Sequence, residues 1–377
     1  MPYGTVLADL HNDSLGNKLA PASAVFRNRI INGAMVIDQR NAGASYTPPN
    51  NSNYNYSLDR WCFYNTQTSK FTTQQNAGSV TPPVGFTNYL GVTSSSAYSV
   101  TASDIFVLRQ AIEGYNIADL GWGTANAKTV TLSFWVYSSL TGTFGGALSS
   151  NAASYSYPFS YSISVANTWT QINITIAGPT ASTWYTNNNA GINVCFGLGV
   201  GSTGSGTAGS WQAAGLFSAT GATSVVGTSG ATFYITGVQL EVGTNATSFD
   251  YRPYGTELAL CQRYFNSSFS AGTAPANNIN AGMNHMGASP ITNYVFSTFF
   301  SYPVEMRTVP TVTYYSSNNG TATNGVWQIY NGGWGNASSL NGTNTITKGF
   351  QPTWSYTGAV LGTSYYSAGN YTASAEL

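Results

Sequence analysis

Trp327, Tyr330, Trp334, Trp354 and Tyr356 stand among asparagines and glycines near the C-terminal end of the sequence. A sugar ring stacks its C–H faces on flat aromatic rings, and amides hydrogen-bond its hydroxyls. Apolar rings beside a few convergent polar groups are the usual make-up of a small-molecule site. These five residues are therefore the candidate glycan-binding residues. The competing use of each ring is packing, in the core of a small β domain or along a trimer axis.

Bond-making chemistry has thinner support. The two histidines, His11 and His285, fall in different segments, and no GxSxG accompanies them. A triad around His285 would need a distant carboxylate such as Glu305. Glycoside hydrolysis needs two carboxylates roughly 5 to 9.5 Å apart. Asp104, Glu113 and Asp119 cluster in sequence, as do Glu241, Asp250 and Glu257. Bases lie close to both groups (Arg109, Lys128, Arg252 and Arg263), so structural ion pairing is the expected use of these acids. No catalytic residue is assigned. No DxDxDG run or metal-type cysteine spacing is present, so no metal or cofactor is assigned either. Cys62, Cys195 and Cys261 read as small core hydrophobes in a reducing cytoplasm.

The charge balance narrows the classes further. Only 6% of the 377 residues are charged, 12 basic and 12 acidic, where ordinary domains carry about 25%. No basic patch for nucleic acid can be drawn from so few. Hydrophobic residues at 42% do not fit a charge-rich disordered chain. No apolar run reaches ~18 residues, so no membrane insertion is expected. The opening residues lack a basic and then apolar segment, so no secretory signal is expected. The deficit is local: the 112 residues from Thr129 to Leu240 carry no charge, whereas the first sixty hold nine of the 24. A surface of Ser, Thr, Asn, Gly and Tyr gives up the repulsion that keeps monomers apart and suits a fixed assembly.

The elements that would position these residues are strands. Val130–Tyr137, Phe159–Val165, Thr170–Ile176, Gly191–Leu198 and Thr232–Glu241 are rich in β-formers and bounded by Gly, Asn and Pro. Ser103–Glu113 reads better as strand than as helix, and Ile117–Trp122 as one helical turn. Gly201–Gly209 is a low-complexity loop, not a phosphate loop. After a boundary at Thr247–Gly255, Glu257–Phe265 could be a short helix or strand. Tyr294–Tyr302 and Thr308–Tyr315 are the clearest later strands, with Pro303 and Pro310 at strand starts or edges. The expected fold is mainly β: a short N-terminal anchor (1–28), a jelly-roll β-sandwich (29–255) and a smaller C-terminal β-sandwich (256–377).

Several blocks carry a family resemblance. They are Arg29–Gly43, Leu58-Asp-Arg-Trp61, Leu108–Gly114, Leu120-Gly-Trp-Gly123, Val130–Val136, Gly237–Gly243 and Tyr251–Tyr264. In this order they resemble tail-fibre and related virion proteins of tailed bacteriophages, especially those of cyanobacteria and marine bacteria. The opening Met1–Gly4, the closing Tyr371–Leu377 and, loosely, Tyr302–Thr313 share that look. The middle region also resembles carbohydrate-binding-module jelly rolls, through its Ser-Phe-Trp strand, Trp169-Thr-Gln-Ile172 and Phe233–Glu241. Many such modules carry Asp-Asp in the last strand, often linked to structural calcium; Thr236-Gly237 stands there in this chain.

The resemblance implies a structural virion protein, a homotrimeric tail fibre. It would be anchored to the phage tail or baseplate through its N-terminus and would contact host-surface polysaccharide or lipopolysaccharide through its C-terminal domain. Its place would be the virion, after assembly in the host cytoplasm. A head-fibre or decoration protein anchored on the capsid is the first alternative, and a polysaccharide-degrading tailspike the second.

Overall fold

The computed structural model describes residues 27–49, 51–151, 154–279, 284–289, 291–317 and 324–377. Of the segment expected to anchor the chain, residues 1–26 lie outside the described residues.

Strand formers dominate, and thirteen strands precede the helix. They are β1 (Asn51–Leu58), β2 (Trp61–Asn65), β3 (Phe71–Gln75), β4 (Leu90–Ser94), β5 (Ile105–Glu113), β6 (Val130–Ser138) and β7 (Gly142–Ser150). Then follow β8 (Ser156–Ile163), β9 (Thr170–Ile176), β10 (Ala190–Val200), β11 (Ser205–Gly206), β12 (Ser218–Ala219) and β13 (Thr232–Val242). One sheet runs β1-β2-β5-β10-β7-β8 and the other β3-β4-β13-β6-β9. The two enclose a core that includes Trp61, Phe63, Phe106, Phe134, Phe144 and Phe196. This is the jelly-roll β-sandwich that the sequence predicts. The 103–113 segment is strand from Ile105 onward, after a turn at Ser103, and Ala118–Leu120 is a single 3-10 turn.

Local sequence explains the two kinds of strand. In β9 the isoleucines at 172, 174 and 176 alternate with exposed polar residues, as expected of a strand with one solvated face. β10 is a near-continuous apolar run buried along almost its whole length. Its outer face is covered by the loop bearing β12: a Cβ on Gly197 would lie 2.6 Å from the Ser218 Oγ.

A β-bulge docks the start of the body onto β13. Register slips between Thr236 and Gln239, and Gly237 has φ +62°, a conformation glycine tolerates. The freed Val238 N–H donates to the Gly33 carbonyl at 3.0 Å, and the Asn28 amide donates to the Val238 carbonyl at 3.0 Å. Asn28 Oδ1 in turn accepts from Leu240 N. Asn28 thus belongs to the folded body.

Beyond it come α1 (Tyr254–Gln262) and β14 (Phe265–Ser267), so the 257–265 segment supplies both a helix and a strand. The remaining strands are β15 (Asn284–Ala288), β16 (Tyr294–Ser297), β17 (Phe300–Ser301), β18 (Thr311–Ser316), β19 (Gln328–Tyr330), β20 (Trp334–Asn336), β21 (Ser339–Ile346), β22 (Gly349–Ser355) and β23 (Ser364–Ser374). Tyr294–Tyr302 is not one strand: β16 and β17 both pair with β22, with one extra residue between them, a second bulge.

These ten strands share one continuous ladder, centred on β23. The sheet folds over so that β22 faces β18 and β23. Phe350 lies 4.7 Å from Tyr371 and Trp354 5.2 Å from Tyr314, centroid to centroid.

The two cores meet at a joint that is apolar at its centre and ionic at its rim. Ile31, Ile37, Cys261 and Tyr264 pack together. Glu376, next to the last residue, is gripped by Arg40 at 2.5 Å and by Arg60. Arg263 binds Glu113 at 2.6 and 2.9 Å. Arg307 donates to the Asn188 carbonyl at 2.7 Å and to the carbonyls of Ala375 and Glu376 at 2.8 Å.

Candidate functional site

The five aromatic candidates divide into two groups. β19 and β20 form a hairpin around Asn331-Gly332-Gly333, with Gly332 at φ +75°. The hairpin sets Tyr330 directly opposite Trp334, and β23 sets Tyr366 directly opposite Tyr330. Cross-strand partners point to one face, so Trp334, Tyr330 and Tyr366 form a row across three strands. Ring centroids are 5.2 Å apart at 54° and 6.4 Å apart at 57°. Trp334 is 42% exposed, Tyr366 is 50% exposed and Tyr330 is half-buried. The next row on that face holds Gln328 and Asn336, joined by an amide–amide hydrogen bond of 3.3 Å.

Trp327 and Trp354 are corrected. Both are fully buried in the C-terminal core, 5.5 Å apart, and neither offers a ring face to a ligand. The Trp327 indole N–H donates to the Asn370 carbonyl at 3.0 Å. Both are large apolar side chains, and hydrophobic burial claims them together with Phe300, Tyr314 and Phe350 of the same core. Tyr356 is half-buried and packs by Gly335 and Tyr365, beside the row but outside it. Tyr366 escaped sequence reasoning. Its signal was the Tyr365-Tyr366 doublet, which a strand must split between core and surface.

The acids serve structure. Glu113 pairs with Arg263, Glu257 with Arg252 at 3.3 Å, Asp119 with Arg29 at 2.7 Å and Asp250 with Arg27 at 3.8 Å. Asp104 and Glu241 take neutral donors instead. Asp104 accepts from Thr66, Tyr98 and Thr101 hydroxyls and the Thr101 N–H. Burial raises its carboxyl, but these donors outweigh burial and hold it well below the usual carboxylate range. Glu241 accepts from Gln239, the Thr247 N–H and the Thr247 hydroxyl at 2.7 to 2.8 Å.

Among the described residues no three His, Cys, Asp or Glu side chains come together. All three cysteines are free and buried. Burial pushes the Cys62 thiol up to about 11 and the Cys195 thiol up to about 12, so both are uncharged at neutral pH. No helix of the described residues is long and apolar enough to cross a membrane.

The region of the aromatic row is uncharged. No Asp, Glu, Lys or Arg occurs from Thr308 to Thr347, or from Gly349 to Ala375. Stacking surfaces with neutral amides and hydroxyls can hold a hydroxyl-rich ring.

No family model matches the sequence, and no curated protein matches it. Solved structures give partial likenesses. One is the enzymatically active domain of tailspike protein 4 of bacteriophage CBA120, at 13% identity and a TM-score of 0.32, covering 59% of this chain. This chain spans 22% of that tailspike chain. Another is the family 11 carbohydrate-binding module of a Clostridium thermocellum cellulosomal cellulase, at 14% identity and a TM-score of 0.26, covering 54% of this chain and 98% of the module. A third is a carbohydrate-binding module solved with β-1,4-galactotriose, at 10% identity and a TM-score of 0.30, covering 58% of this chain and 99% of that one.

Proposed function

We propose that this chain is a structural virion protein, a homotrimeric phage tail fibre that attaches to host-surface glycan without cleaving it. The observation that carries the glycan contact is the exposed row Trp334–Tyr330–Tyr366 on an uncharged sheet face. The tail-fibre assignment rests on the ordered sequence blocks from Arg29 to Tyr264. Ring faces at this spacing take the C–H faces of neutral sugars, and the amides of Asn331 and Asn336 lie close enough in the chain to meet hydroxyls. A hydrolase would need an acid pair beside the bound sugar, and the described acids nearest in sequence, Glu305 and Glu376, lie outside the row. Weak single sites suffice, because three per fibre and several fibres per particle raise effective affinity by avidity.

The test is adsorption of the purified protein to host cells and to a panel of immobilised bacterial surface polysaccharides. Trp334→Ala combined with Tyr366→Ala should cut adsorption about tenfold, the loss of roughly 1.4 kcal/mol, with the melting midpoint nearly unchanged. Trp354→Ala should instead cost about 3–5 kcal/mol of stability, as core truncations do. Unchanged adsorption by the double variant overturns the row as contact site. New reducing ends released from the polysaccharide overturn the non-enzymatic reading.

A further inference from the structure

The arginines of this chain are nearly all neutralised. Arg27, Arg29, Arg40, Arg60, Arg252 and Arg263 each meet a carboxylate, and Arg307 donates to three carbonyls. Arg109 differs. It lies on the outer face of the six-stranded sheet, in β5, and is only 3% exposed. Its Nη2 donates to Asn193 Oδ1 at 2.5 Å, but its Nη1 is buried with no hydrogen-bond partner. No carboxylate among the described residues forms an ion pair with it. A buried cation without a counter-ion is costly.

Its surroundings have the make-up of a site. Cys62 and Cys195 flank it across the neighbouring strands, and Ala147 and Pro158 continue the row, so the floor beside the guanidinium is built of small side chains. Both thiols are held neutral by burial and supply no charge. Asn193 is fixed by its own donation to the Ser150 carbonyl at 3.1 Å, which keeps its Oδ1 on Arg109. Over the guanidinium lies the Tyr54 ring, 3.7 Å from its centroid to the Arg109 Cζ. Tyr54 is 40% exposed and sits on β1, which among the described residues is an edge strand paired with β2. Tyr64 follows at 5.9 Å, and Phe217 stacks on Tyr64 at 6.0 Å and 25°.

We propose that Arg109 is the charge-recognising centre of a second ligand site, which takes the carboxylate of an acidic sugar unit. The Nη1 supplies the vacant donor, Tyr54 turns aside to admit the carboxylate, and the Tyr54–Tyr64–Phe217 line stacks the adjoining rings. A charge-assisted hydrogen bond to a carboxylate gives the guanidinium the partner that the fold withholds. This site is separate from the Trp334 row and does not depend on the function proposed for it.

The probes are an α-1,4-galacturonate tetramer, its fully methyl-esterified counterpart and acetate, titrated calorimetrically into the full chain. The esterified form keeps the shape and removes the charge. The acid form should bind about tenfold tighter than the ester. Arg109→Gln should abolish that preference, and Arg109→Lys should retain part of it. Trp334→Ala should leave it intact. Arg109→Met should not lower the melting midpoint without ligand, since it removes an uncompensated buried charge; a purely structural arginine would lower it. Equal binding of acid and ester, no binding of either, or a preference that survives Arg109→Gln overturns the proposal. Acetate binding as tight as the tetramer overturns the sugar assignment, and loss of the preference in Trp334→Ala overturns its location.

Discussion

Asp59 is a fully buried carboxylate whose only described hydrogen-bond donors are the Gln39 N–H at 2.7 Å and the Gln39 amide at 2.6 Å. Burial pushes its carboxyl up to about 6, against the smaller opposing pull of Arg40 and Gln39. The folded state therefore holds this proton more tightly than the unfolded chain does. Its contribution to stability is full below the unfolded value near 4 and is lost as pH rises to about 6. The shift corresponds to about 3 kcal/mol. Asp59→Asn should flatten the melting midpoint across pH 4 to 6, and a thermal series over that window checks it. An undiminished decline in the variant would show that another group titrates there. Asp104 acts with the opposite sign: its depressed carboxyl loses stabilisation as pH falls below the unfolded value. The two slopes occupy different windows and can be separated.

At the scale of elements, the seam between residues 28–33 and β13 depends on close backbone approach. A Cβ on Gly33 would sit 2.2 Å from the Val238 carbonyl oxygen, a clash with backbone that no rotamer relieves. Gly33→Ala should therefore cost about 2–4 kcal/mol, and amide exchange should quicken at Ile30 and Leu240. Unchanged protection there would mean the seam tolerates a methyl group. Such contacts were invisible in the sequence, because a glycine's neighbour across a bulge lies two hundred positions away. Strands with periodic or branched residues were legible: Thr170–Ile176 has the same bounds in sequence and structure, and β6 and β13 differ by one residue. β21 and β23 were not, since Ser-Leu-Asn-Gly-Thr-Asn-Thr-Ile and Ser-Tyr-Tyr-Ser-Ala-Gly-Asn-Tyr-Thr-Ala-Ser lack both patterns. Their pairing comes from long-range partners. The same limit governs the candidate site. The Asn-Gly-Gly turn that aligns Tyr330 with Trp334 is readable. Which tryptophan faces inward depends on a fold-over that composition does not encode, and Arg109 is one base among several until its lack of an acid is seen.

At the scale of the whole molecule, the question is what the uncharged surface is for. Among the described residues β21 pairs with β22 along one side only, and seven of its eight residues are exposed. It contains no charge and no proline, two of the devices that keep an edge strand from pairing with another chain, and its one irregularity is a register shift between Leu340 and Gly342. Leu340 and Ile346 are exposed at its two ends. An uncharged edge that runs regularly from Gly342 to Ile346 fits a chain whose copies cover one another, as the trimeric reading requires. Light scattering at micromolar concentration should then give three times the 39.8 kDa of the chain. Leu340→Lys with Ile346→Lys should shift the mass toward a single copy, because two charges at a buried seam would be desolvated without partners. The Glu376 grip on Arg40 and Arg60 lies within one chain, so Glu376→Ala should lower the melting midpoint and leave the mass unchanged. A wild-type mass of one copy would overturn the trimer. A trimer that survives both lysines would place the seam on another face, and the aromatic row, three strands from β21's own partner in the ladder, would then have to be probed for burial between copies.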